Sequence, residues 1–159
     1  MKAVVQRVLR AEVRVEGRSV ARIERGALVL LGVMRHDGPD EARRLAQRIA
    51  LFRFLADDDG RMNRSLVDAG AEILVVSQIT LAADGRRGRR PSLDGAAAPE
   101  LAQALYQGFV QDLRELGLAC QTGVFQALME VELVNDGPVT FVLEEGPRAG
   151  PGRPSQALA

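Results

Sequence analysis

The chain has 159 residues, 47% of them hydrophobic and 26% charged, with one cysteine and one histidine. That balance suits one soluble domain with one core, and it excludes wholly disordered, membrane-embedded and disulfide-stapled chains. Lys+Arg and Asp+Glu both number 21, so no net field draws the molecule to nucleic acid and any such attraction must be local.

The opening stretch MKAVVQRVLRAEV interleaves charges where a signal peptide needs an apolar run, and Ala27–Leu31 is too short to span a bilayer. The expectation is a cytoplasmic protein without membrane contact. Glu12 to Glu16 alternates charge with valine, the period of a strand with one wet face. Gly17-Arg18 offers a turn, Val20 to Ile23 alternates again, and Ala27 to Val33 reads as a strand covered on both faces. After the turn Asp37–Asp40, the positions Leu45, Ile49 and Phe52 have helical spacing, and Asp57-Asp58-Asp59-Gly60 closes that unit. Another strand is expected from Glu72 to Leu81, then a long exposed loop from Ala82 to Ala98. Pro99 suits a first helical position, and Leu101, Leu105, Phe109, Leu113 and Leu116 form an apolar stripe ending at Gly117. Met129, Val131 and Leu133 alternate with glutamates, Asn135–Pro138 reads as a hairpin turn, and Val139 to Glu144 completes the strands. The sum is one α+β domain over 1–145, a mostly antiparallel, barrel-like sheet with two main helices. A tail over 146–159, rich in Pro and Gly, is expected to be disordered. So few helices leave part of the sheet uncovered, and self-association is the economical way to hide it.

Nucleotide-cradling glycine loops and zinc-hydrolase motifs are absent from the sequence, and the lone Cys120 reads as a small strand residue. No metal or cofactor is expected. Gly17–Ala21 comes near a nucleophile elbow, but there strand follows strand instead of turning into a helix. His36 sits in a polar turn, so a Ser-His-Asp triad is not expected. A hydrolase made from this chain must rely on backbone N–H groups, hydroxyls, amides and the substrate itself. Two places offer these: Ser77-Gln78-Ile79-Thr80-Leu81, where polar groups follow the apolar Ile73–Val76, and Asn135–Thr140. Periodicity alone reads the first as a capped strand end and the second as a turn. Arg86, Arg87, Arg89 and Arg90 cluster into a block suited either to anion binding or to plain solvation.

Together the two polar segments resemble the signature motifs of D-aminoacyl-tRNA deacylases, SQ-aromatic-TL and N-x-GPVT. Gln6-Arg7-Val8, Leu30–Val33, Met62-Asn63, Arg90-Pro91-Ser92, Ala104-Leu105-Tyr106 and Gln121-Thr122-Gly123 before Phe125 follow in family order. The resemblance implies a proofreading hydrolase that cleaves the ester of D-aminoacyl-tRNA, and of glycyl-tRNA, while sparing L-aminoacyl-tRNA. It implies a homodimer in which Ser77, Gln78 and Thr80 carry the catalysis, and in which Gly137 and Pro138 of the other subunit, joined by a cis peptide, exclude L side chains. By the same resemblance Phe125 and Met129 contact the terminal adenosine, Arg7 supports the Gly-Pro loop, the arginine block meets tRNA phosphates, and DNA is not a partner. The chain departs from the family at Ile79, where a phenylalanine is usual, and at Gln126-Ala127-Leu128. The rival reading is a non-catalytic, dimeric tRNA- or RNA-binding module.

Overall fold

The computed structural model describes residues 1–86 and 88–146. Its main sheet starts with β1 (Lys2–Val15), a 14-residue strand that buries Ala3, Val5, Val8, Ala11 and Val13. β2 (Arg18–Ile23) pairs antiparallel with the second half of β1, and β3 (Gly26–Gly32) with the first half, so the two follow one another along one side of it. α1 (Pro39–Leu51) begins with proline in the first turn, carries Asp40 and Glu41 at its positive end, and buries Leu45 and Ile49 as the spacing foretold.

The acidic stretch Asp57–Gly60 is the turn of a small hairpin, β4 (Leu55–Ala56) with β5 (Met62–Arg64), followed by the one-turn helix α2 (Leu66–Ala69). Neither was visible as periodicity, because both are shorter than the windows that periodicity needs. β6 (Glu72–Ser77) pairs parallel with β3, and β7 (Cys120–Thr122) parallel with β6. These parallel pairs explain why Ile73–Val76 is uniformly apolar: all four residues are buried at 2% exposure or less. α3 (Pro99–Glu115) buries Leu105, Tyr106, Phe109, Val110 and Leu113 against α1 and the sheet, whereas Leu101 stays exposed.

The last strand, β8 (Glu130–Glu144), pairs antiparallel with β1 over nearly its whole length. The sheet order β2-β1-β3-β6-β7, with β8 on the other side of β1, curls into a nearly closed, barrel-like surface in which antiparallel pairs outnumber parallel ones. Two expectations need correction. The strand from Glu72 ends at Ser77, and Ile79–Ala82 form a 3-10 turn instead of its continuation. Asn135–Pro138 is not a hairpin turn, since β8 runs through it: two steps along β1 from Gln6 to Val8 are matched by five along β8 from Thr140 back to Asn135. The three surplus residues fall within Asp136–Val139 and make a bulge on which Gly137 and Pro138 are exposed.

The Met1 ammonium is buried at 2.6 Å from Asp37 Oδ1 and also donates to the Glu145 carbonyl, tying both ends of the described fold together. Among the described residues no helix is long and apolar enough to cross a membrane. The tail from 147 onward and Arg87 lie outside the described residues.

Candidate active site

A concavity of about 420 Å³ lies at the carboxyl ends of the three parallel-paired strands β3, β6 and β7. Side chains converge there because the segments leaving those strand ends all turn outward at one edge of the sheet. Leu31 and Val33 come from the end of β3, and Val76, Ser77, Gln78 and Ile79 from the end of β6. Phe125, Gln126, Ala127 and Met129 lie between β7 and β8, Val131 is near the start of β8, and Pro99, Ala102 and Tyr106 form a helical wall. No Asp, Glu, His, Lys or Arg is among these lining residues.

The polar part is built on the turn that ends β6. The Gln78 N–H donates to the Leu31 carbonyl at 2.8 Å, and the Leu81 N–H to the Gln78 carbonyl at 3.2 Å, which bends the chain at the cavity mouth. Gly32 makes the close approach achievable: a Cβ there would stand 2.8 Å from Leu81 Cβ and 3.1 Å from the Gln78 carbonyl oxygen. As the first residues of a 3-10 turn, Ile79 and Thr80 present N–H groups with no partner inside it. The Gln78 side chain donates to Thr80 Oγ1 at 2.5 Å, so the two polar groups act as a unit. Thr80 and Ile79 are exposed, and Ser77 and Gln78 half-buried.

The apolar part is a platform. Phe125 packs beside Tyr106 with ring centroids 5.7 Å apart. The Tyr106 hydroxyl donates to the Val75 carbonyl at 2.8 Å, and burial pushes the phenol well above its ordinary range. Phe125 and Met129 therefore stand on the same cavity as Ser77 and Gln78. Tyr106, Pro99, Ala102 and Gln126 were not singled out from sequence as site residues. Two signals pointed to Tyr106: Ala104-Leu105-Tyr106 is one of the segments in family order, and a lone tyrosine on an otherwise apolar helix face needs a partner for its hydroxyl.

Gly137 and Pro138 are elsewhere. They are exposed on the bulge of β8, are joined by a cis peptide bond, and do not line the cavity of their own chain. Gly137 has φ +130, and a Cβ there would meet Val139 Cγ2 at 2.8 Å and its N at 2.9 Å, so the position demands glycine. Arg7 braces this bulge from β1: its Nε donates to the Asp136 carbonyl at 3.1 Å and lies 3.3 Å from Asp136 Oδ2, while its Nη1 donates to the Phe54 carbonyl at 2.9 Å. The carbonyl it holds is the one before Gly137.

The arginine block sits on a loop pinched by mutual backbone hydrogen bonds between Asp84 and Ser92, at 2.8 and 2.9 Å. Arg86 forks onto Asp84, with Nε 3.0 Å from each carboxylate oxygen and Nη2 2.7 Å from Oδ2. The Arg86 guanidinium, and then the Arg86 N–H, hold the Asp84 carboxyl down at about 2. Arg89 and Arg90 are exposed, and Arg87 falls outside the described residues. His36 is exposed in its turn, and Cys120 is half-buried at the start of β7 with its thiol pushed up to about 11 by burial.

The family model described as D-Tyr-tRNA(Tyr) deacylase matches residues 4–144, which takes in every element of this site. The chain belongs to the D-Tyr-tRNA(Tyr) deacylase family. A D-aminoacyl-tRNA deacylase of Koribacter versatilis is 57% identical over 91% of this chain and 97% of its own length. Another, of Anaeromyxobacter dehalogenans, is 54% identical over the same shares. A solved structure titled "c-Myc DNA Unwinding Element Binding Protein" superposes with a TM-score of 0.87 at 39% identity, covering 92% of this chain and all of that one. Deacylase family membership thus agrees with the resemblance carried by the segments around Ser77–Leu81 and Asn135–Thr140.

Proposed function

We propose that the chain is a D-aminoacyl-tRNA deacylase, hydrolysing the ester between a D-amino acid, or glycine, and the 3′ end of tRNA, in the cytoplasm. The observation that carries this reading is a cavity with amide, hydroxyl and N–H donors at one edge, an aromatic platform at the other and no acid, histidine or lysine in its lining. Such a site cannot activate a nucleophile of its own with a side-chain base, but it can hold a developing oxyanion.

Water attacks the ester carbonyl, and the oxyanion is held by the N–H groups of the Thr80 region and by the Gln78 carboxamide. The carbonyl carbon then releases the 3′ oxygen, which leaves with a proton. The neighbouring 2′-hydroxyl of the substrate supplies the proton handling that no side chain in the lining provides. Thr80 orients through its contact with Gln78, and Ser77 borders the same strand end. The terminal adenine stacks on Phe125 beside Met129. Arg89 and Arg90, exposed on their loop, meet tRNA phosphate, while Arg86 is paired with Asp84.

Chirality is sensed by exclusion. Two chains associate, and the Gly137-Pro138 bulge of one closes the cavity of the other, its carbonyl groups occupying the space where an L side chain would project. Its supports are the exposure of Gly137 and Pro138 on the bulge, its absence from its own chain's cavity and the brace from Arg7. Glycine, having no side chain, passes such a filter.

The test is incubation with D-Tyr-tRNA and L-Tyr-tRNA, following release of the amino acid. Loss of the D ester alone is expected. Equal hydrolysis of both removes the chiral filter, and tRNA binding with both esters intact makes the chain an RNA-binding module instead.

A further inference from the structure

We infer that Tyr106 is a positioning residue for deacylation: its hydroxyl fastens the helical wall of the cavity to the strand that carries Ser77 and Gln78, fixing the Phe125 platform relative to the ester-holding groups. The inference rests on the deacylase reading given above. One carbonyl joins three elements. Val75 O accepts the Tyr106 hydroxyl of α3 at 2.8 Å and the Gly123 N–H that follows β7 at 3.0 Å. Val75 lies two residues before Ser77, and Gly123 two before Phe125. A displacement at this carbonyl therefore reaches both halves of the site.

The rest of Tyr106 completes the link. The residue is 5% exposed and lines the cavity, and its ring stands 5.7 Å from the Phe125 ring at an interplanar angle of 46°. Lower on the same helix Leu113 is fully buried without lining the cavity, so burial alone holds α3 to the core there. The hydroxyl adds what apolar packing cannot, a directional contact that sets where the upper part of the helix stands. Hydrolysis needs the ester carbon placed against the donors near Thr80 while the adenine is held on Phe125, and small errors in such alignment reduce the rate more than the affinity.

The test compares Tyr106→Phe, which keeps the ring and removes only the hydroxyl, with Leu113→Val, which loosens the same helix away from the cavity. Both are assayed on D-Tyr-tRNA well below their melting temperatures. For Tyr106→Phe, kcat is expected to fall about tenfold with KM within about twofold of wild type. For Leu113→Val, the melting temperature falls while kcat and KM stay at wild-type values. An active wild type with unaltered kcat in Tyr106→Phe, or losses in both variants that track their melting temperatures, overturns the positioning role alone. A wild-type chain that leaves D-Tyr-tRNA intact overturns the deacylase reading and with it the reaction that Tyr106 serves.

Discussion

Thr80 and Gln78 differ in what they can contribute. The Thr80 hydroxyl accepts from Gln78 at 2.5 Å, and no base stands in the lining to deprotonate it. Thr80→Ala should therefore keep measurable hydrolysis, and the wild type should accumulate no acyl-enzyme in quenched reactions analysed by mass spectrometry. Gln78→Ala removes a donor to the oxyanion and should lower kcat by about 100-fold, the usual consequence of losing one such group. A full loss in Thr80→Ala, with a trapped wild-type acyl-enzyme, would instead identify Thr80 as the nucleophile. Asp84 gives a pH prediction. With Arg86 beside it, its folded value of about 2 lies below the ordinary carboxylate value. Its favourable contribution is thus complete above the ordinary value and is lost as pH falls through about 2. In Arg86→Ala the carboxyl should rise toward its ordinary value of about 3.9 but stay below it, because the residue-86 N–H still donates to it, readable by NMR of the Asp84 side chain.

Elements separate stability from activity. Ser65 caps α2, its hydroxyl accepting from the Asp68 N–H at 3.1 Å while the Asp68 carboxylate accepts from the Ser65 N–H at 3.0 Å. Ser65→Ala should cost about 1 kcal/mol in denaturant unfolding and leave kcat/KM unaltered, because this helix is remote from the cavity. Gly32→Ala behaves differently. The added methyl meets Leu81 Cβ at 2.8 Å, so the 3-10 turn must move away from β3. Overpacking of this kind costs about 1–3 kcal/mol, and kcat/KM is expected to fall out of proportion because the displaced turn carries Gln78 and Thr80. Equal activity at matched folded fraction would contradict that account.

For the whole molecule the question is where the Gly137-Pro138 bulge goes. If it closes a neighbour's cavity, each site needs a sound pocket from one chain and a sound bulge from the other. Gln78→Ala and Gly137→Ala chains, each impaired alone, should regain activity when refolded together. Random pairing makes half the dimers mixed, each with one intact site, so about a quarter of wild-type activity is expected. No recovery on mixing, or a monomer at assay concentration by sedimentation, would refute the arrangement.

Much of this fold was legible in the chain itself. Alternation in β1 and β8 and the apolar stripes of α1 and α3 are local patterns, since side-chain exposure repeats with the geometry of each element. The motif residues Ser77–Leu81 and Asn135–Thr140 stood out because polar groups and Gly-Pro interrupt apolar periods. Periodicity does not say which strand lies beside which. The parallel pairing of β3, β6 and β7, which sets the cavity at their carboxyl ends, is a long-range choice. So is the ladder to β1 that turns an apparent hairpin into a bulge within one strand. The hydrogen bond of Tyr106 to Val75 across 31 residues belongs to the same class. Tertiary structure decided these because backbone hydrogen bonds and close packing are satisfied between segments, and no single segment contains its partner.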